Sequence, residues 1–216
     1  MRKETAESRV EARWPALIAV VTLGGLYLAL PPNLLVGPRW LYPVVVAGLV
    51  IPILALHRMG RHDLDRRLGY ILSGVLTLML LLSLILLITA LPSRKEDPLS
   101  LLQSAAALWV TNVIVFALWY WRLDAGGPHQ RESRKGHTHG AFFFPQMMQG
   151  APPSPEPGPW APRFVDYLFV AFNTSTAFSP TDTPVLTPWA KVLSMLQASI
   201  SLAVVAILAA RAVGML

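Results

Sequence analysis

The side chains best suited to chemistry cluster in one short stretch: Thr174, Ser175, Thr176, Ser179, Thr181 and Asp182 place five hydroxyls and one carboxylate within nine residues. Such oxygens coordinate cations, and rings of them repeated around a symmetry axis form a side-chain filter for hydrated ions. The same letters also spell a helix start. Ser179 or Thr181 can accept from free N–H groups, Pro180 suits a first turn, and Asp182 favours the positive end of a helix. Two readings therefore stand side by side, a candidate ion pathway and a capped turn between helices.

Other chemistry is sparse. His137 and His139 flank Thr138, but a metal site needs a carboxylate or a third nitrogen nearby, so a flexible polar loop is expected and no metal is assigned. The chain has no cysteine, which excludes disulfides, thiol redox chemistry and cysteine-ligated metals. It carries no H-E-x-x-H, Walker A or glycine-rich dinucleotide pattern and no nucleophile–base pair, so neither an enzyme nor a cofactor is expected. Asp166 is expected to cap a helix or to pair with Arg163.

The elements that must hold these residues are membrane helices. Of 216 residues, 54% are apolar and only 14% are charged, with a mean hydropathy of +0.49, whereas soluble domains carry about 25% charge. A soluble enzyme, a disordered chain and a nucleic-acid binder are excluded on that ground, and the bilayer is the expected partner. After a polar segment 1–13, four apolar stretches fill 14–121: Trp14 to Leu30, Leu41 to Leu56, Leu68 to Leu91 and Leu99 to Trp121. The first follows basic residues as a signal peptide would, but its apolar run is too long and no small-residue cleavage site follows, so a retained helix is expected. The second, short and carrying Pro43 and Pro52, is expected inside the bundle, where neighbours satisfy the freed carbonyls. The third lacks a polar stripe around Leu80 to Ile88 and is expected to face lipid. The fourth ends in Trp119, Tyr120, Trp121 and Arg122, an expected interfacial belt, and buries Asn112 and Thr111, which should bond to another helix. Residues 122–163 read as a Pro/Gly/His-rich connection whose Phe142 to Phe144 and Met147 lie on the membrane surface or dock on the bundle. Residues 164–216 read as a short helix, a polar turn and a long helix.

Half-length helix, turn and full-length helix is the plan of a re-entrant loop. Phe172, Thr174 and Thr176 have the spacing of the F-x-T-x-T before the filter of bacterial potassium channels. Thr187-Pro188-Trp189-Ala190-Lys191 is similar to the T-P-L-A-R that opens their inner helix, and Ala210-Arg211-Ala212-Val213-Gly214 resembles the A-R-L-V-G at its end. The stretch Val165 to Gly214 thus resembles the potassium-channel pore module. The filter departs from it: Phe178-Ser179-Pro180-Thr181-Asp182 stands where V-G-Y-G-D would be. Two lost glycines in each of four subunits, at roughly 1 kcal/mol for each forced left-handed residue, would cost on the order of 8 kcal/mol. Pro180 further restricts Ser179. The resemblance implies a degenerate filter, and Ser201 replaces the glycine that often bends the inner helix. The A-F-S-P-T-D run with Phe144 to Met147 upstream also resembles a family of bacterial multi-pass proteins, a likeness that implies no particular activity.

The expected fold is therefore all-α: four helices followed by a helix pair resembling a pore hairpin, in the plasma membrane. The expected function is a non-selective, homo-oligomeric path for monovalent cations through Thr174 to Asp182, or a non-conducting interaction protein that keeps the pair as packing. If the first four helices alternate, 13 of the 18 basic residues share one side with the N-terminus, which the positive-inside rule makes cytoplasmic. Channel orientation demands the reverse for a re-entrant loop. A full crossing by Phe164 to Phe178, giving six crossings with both termini inside, reconciles the two.

Overall fold

The computed structural model describes residues 11–90, 98–134, 137, 139–148, 160–176 and 182–213. Within them the chain is helical, with seven α-helices: α1 Trp14–Ala29, α2 Leu41–Arg58, α3 His62–Ala90, α4 Pro98–Leu123, α5 Pro128–Glu132, α6 Phe164–Thr176 and α7 Pro188–Val213. Four of these helices (α2, α3, α4 and α7) are long and apolar enough to cross a membrane. At 16 residues α1 is shorter, about 24 Å. Trp14 and Trp40, at opposite ends of the bundle, are exposed, as interfacial indoles are.

Helices α1 to α4 alternate in direction. Tyr27 near the end of α1 stacks on Tyr42 at the start of α2, and its hydroxyl closes the turn by bonding both the N–H and the C=O of Val36. Trp119 of α4 donates to Thr77 of α3 at 2.8 Å. Helix α4 is the centre, packed against α1, α3, α6 and α7. That corrects the expected aromatic belt. Tyr120 and Trp121 are buried and Trp119 is half-buried, because α4 has neighbours on every side and its polar ring atoms find partners inside the protein.

Two further placements differ from expectation. Helix α2, despite Pro52, lies at the periphery, with only Tyr42 and Ile53 buried and Val44, Ile51 and Leu54 exposed. Its freed carbonyl is one turn upstream on an outer helix, so burial in the bundle is not needed to place it. Helix α3 is not purely lipid-facing. Leu72, Leu76, Leu80, Leu84 and Leu87 form a buried stripe at helical spacing while Ile71, Leu78, Ile85 and Ile88 face outward.

The C-terminal pair is arranged as a return loop. Trp121, at the end of α4, packs edge-on against Phe164, which opens α6, so α6 starts where α4 finishes. Gln197 Nε2 of α7 donates to the Ala171 carbonyl at 2.6 Å, and Ser201 Oγ donates to the Ser175 carbonyl. Both pairs are 26 residues apart, so α6 and α7 run in the same direction. Helix α7 therefore begins at the end from which α6 entered. Its leader is pinned there: Val185 bridges Phe142, Phe143 donates to Pro184 at 2.9 Å, and Leu186 donates to Ala141 at 2.7 Å. A full crossing by Phe164 to Phe178 is thereby overturned, since α6, about 20 Å long, goes in and the chain comes back to the same end.

Candidate functional site

Two places gather polar side chains, and the first is the stretch singled out by sequence. Ser175 is buried between helices, accepting from Gln197 Nε2 at 2.8 Å and from Asn112 Nδ2 at 3.4 Å. Thr174 and Thr176 turn back onto their own helix, donating to the carbonyls of Val170 at 2.8 Å and Phe172 at 3.0 Å. Asp182 is exposed, and Ser179 and Thr181 lie outside the described residues. The candidate ion-pathway residues therefore do not converge within the described part of one chain. Ser175 faces the bundle interior, whereas Thr176 is half-buried and Asp182 exposed.

The side chain that organises this region is Gln197, which the sequence reading passed over. Its carbonyl oxygen accepts from Tyr120 at 2.6 Å, and both of its amide hydrogens are used, on Ala171 and Ser175. Its backbone carbonyl accepts from Asn112 at 3.2 Å, so α4, α6 and α7 meet on one residue. Asn112 thus bonds across helices as expected, while Thr111 returns to its own Ala107 carbonyl. Ser201, in the place of a hinge glycine, accepts from Trp109 at 3.1 Å and anchors α6.

The second place is the end of the bundle where α1, α3, α6 and α7 start. The connection after α4 is not a loose loop there. Asp124 is fully buried, accepting from Tyr167 Oη at 2.6 Å and from the Ala141 N–H, with His137 Nε2 at 3.4 Å. His137 is buried in this cluster, against the expectation of a flexible polar loop, while His139 is exposed. Phe142 and Phe144 dock on Tyr167, as the docking alternative for that segment requires. Asp166 caps α6 by accepting from the Arg163 N–H at 2.6 Å; burial pushes its carboxyl above the usual carboxylate range, and that bond opposes the shift.

Beside this cluster a cavity of about 110 Å³ opens between α1, α2, α3 and the end of α4. At its polar end Arg13 Nη1 lies 3.1 Å from Asp65 Oδ2 and 3.0 Å from His57 Nδ1, and Arg13 Nη2 lies 3.7 Å from Glu132. His57, His62 and Asp65 offer ligand atoms within 4.8 Å of one another, a spacing that suits a metal ion. The Arg13 guanidinium already occupies two of those three groups, so the protein's own cation stands where a metal would. His62 stacks on His129 at 3.6 Å, and its Nδ1 is buried without a hydrogen-bond partner. Arg122 lies flat against α3 at Gly69, where a Cβ would collide with Nη1, and its Nε is likewise buried and unpaired.

These features define a class: a chain helical through its described residues, with four helices long and apolar enough to cross a bilayer, a parallel α6–α7 pair held by a buried glutamine, and a cationic cavity at one end. Comparison with protein-family models, curated proteins and solved structures found no match in any of the three.

Proposed function

We propose that this chain is a non-conducting membrane interaction protein in which the returning α6–α7 pair is a packing unit. The observation that carries this reading is Gln197, whose side chain spends every hydrogen-bonding atom on tying α6 and α4 to α7. A side-chain filter needs hydroxyls free to face an aqueous path. Here Ser175 bonds to two neighbouring helices, and the outward faces of α6 and α7 carry Val165, Phe169, Met195 and Leu202, which suit lipid.

A second reading keeps the cation path, because a half-length helix that returns to its own end before a full-length helix is the plan of a pore loop, and Asp182 is exposed and Thr176 half-buried, free to face a second copy of the chain. Charge sets the orientation in the packing reading, whereas a pore loop entering from outside needs the reverse, because α6 starts at the same end as α1. The end holding Arg13, Arg58, Arg61, Arg66, Arg67 and Arg122 is the basic one, so the N-terminus faces the cytoplasm of a plasma membrane. Purified protein in liposomes, assayed for flux of Na⁺, K⁺ and Rb⁺ beside Asp182→Asn and Thr176→Ala, separates the readings. No flux from correctly inserted wild type is expected. Flux that falls in both variants replaces the packing reading with the pore.

A further inference from the structure

The cavity beside Arg122 has a built-in polarity. Its mouth, at the ends of four helices, carries Arg13, Arg122 and His62, while further along α1 and α2 the walls are Leu17, Val20, Ile53 and Leu54. Seven residues of helix from Arg13 to Val20 carry the wall about 10 Å towards the bundle centre. A bilayer has the same gradient over the same distance, from headgroup to acyl chain.

The electrostatics leave one sign of charge unanswered. Asp65 answers Arg13, Asp63 lies 3.5 Å from Arg66, and Glu132 sits between Arg13 and His129. Arg122 has no carboxylate within hydrogen-bonding distance among the described residues; the Trp121 ring lies 5.5 Å from its guanidinium carbon, the backbone at Gly69 lies against it, and Asp65, already bonded to Arg13, acts on it only at longer range. The buried nitrogens without a hydrogen bond here are the Nε of Arg13, its Nη2, which lies 3.7 Å from Glu132, the Nε of Arg122 and the Nδ1 of His62. Three are guanidinium donors, and the imidazole nitrogen is a donor in one tautomer. Leaving such donors dry is costly, and a guanidinium matches the oxygens of a phosphate.

We propose that this cavity is a binding site for an acidic phospholipid, its phosphate held by Arg122, Arg13 and His62 and an acyl chain lying along Leu17, Val20, Ile53 and Leu54. Basic pockets between transmembrane helices on the cytoplasmic side recognise such headgroups. Gly69 takes part by its lack of a side chain, since it lets Arg122 lie against α3 and face the cavity. The site is independent of whether α6 and α7 conduct.

The test uses the full-length protein purified in detergent, with phosphatidylglycerol, phosphatidylcholine or inorganic phosphate added, read by native mass spectrometry and by the shift in melting temperature. The wild type is expected to retain phosphatidylglycerol at least fivefold over phosphatidylcholine and to melt higher with it. Arg122→Gln should abolish that preference, and Gly69→Ala, which keeps every charge but displaces the guanidinium, should reduce it. Leu17→Trp, which fills the apolar part, should reduce retention while leaving the arginines in place. Equal retention of the two lipids by wild type overturns the proposal without reference to any variant. So does a preference unchanged in Arg122→Gln and Gly69→Ala, or stabilisation by inorganic phosphate with none by phosphatidylglycerol.

Discussion

Halfway along the bundle, Gln197 and Ser175 have a partner for each side-chain polar atom, whereas at the bundle's end Arg122, Arg13 and His62 keep buried nitrogens that have none. Both regions are polar islands in an apolar chain, yet they solve the desolvation problem in opposite ways. The first closes on itself apart from the Asn112 Oδ1, so that removing Gln197 leaves buried groups of α4 and α6 without their partner. The second is left open in a sense that favours an incoming anion. Polarity inside a membrane protein therefore has two meanings, glue and site, and the count of unsatisfied donors separates them.

Breaking the closed region should cost most. Gln197→Leu removes the acceptor of Tyr120 and both donors to α6, and is expected to lower stability by about 3 kcal/mol, three bonds at roughly 1 kcal/mol each. Unfolding in mixed micelles, followed by circular dichroism, measures it. A loss below that of a single bond would mean that α6 is held by apolar packing alone. Asp124→Asn comes next, at about 2 kcal/mol, because one amide cannot accept as well from both Tyr167 and Ala141 while facing His137. The same titration reads it, and loss of protection against proteolysis after Arg134 would show that the connection has come off the bundle.

Asn112→Ala sharpens the comparison from the other side. Its two donated bonds are longer, 3.2 and 3.4 Å, and its Oδ1 is unpaired, so about 1 kcal/mol is expected. The double variant Asn112→Ala with Gln197→Leu should cost less than the sum, since Ser175 and the Gln197 position are shared by both. Strict additivity in that cycle would dissolve the network into separate bonds.

Hydropathy made the long helices legible, and the half-length α6 before a full-length α7 as well, but whether α6 crosses or returns stayed open in the sequence. The packing within that frame was less so, for identifiable reasons. In α3 the run Leu80 to Ile88 is apolar but for Ser83, too little polarity to mark a face, so periodicity cannot distinguish Leu84, which is buried, from Ile85, which is exposed. The Trp119, Tyr120 and Trp121 run carries the composition of an interfacial belt, but belonging to a central helix turned its rings inward. Gln197 could have been found: a lone amide in an apolar helix seeks a partner, the same argument that picked out Asn112. Arg13, His57, Asp65 and Arg122 could not, because they come from four separate helix ends and only folding brings them together; in sequence they read as loop charge that sets topology.

The smallest effect should come from the residue on which the sequence reading placed its carboxylate ring. Asp182 is exposed, with no neighbouring helix to strand, so Asp182→Asn should leave the unfolding curve of the isolated protein unchanged. That null result has force only beside the flux measurement. If copies of the chain gathered Asp182 around an axis, like charges brought together would repel, and neutralising them would stabilise the assembly while altering conduction. Sedimentation and flux measured on the same Asp182→Asn sample therefore separate a solvated surface carboxylate from a member of a ring. An unchanged assembly with no flux leaves Asp182 as a solvated carboxylate in the turn before α7.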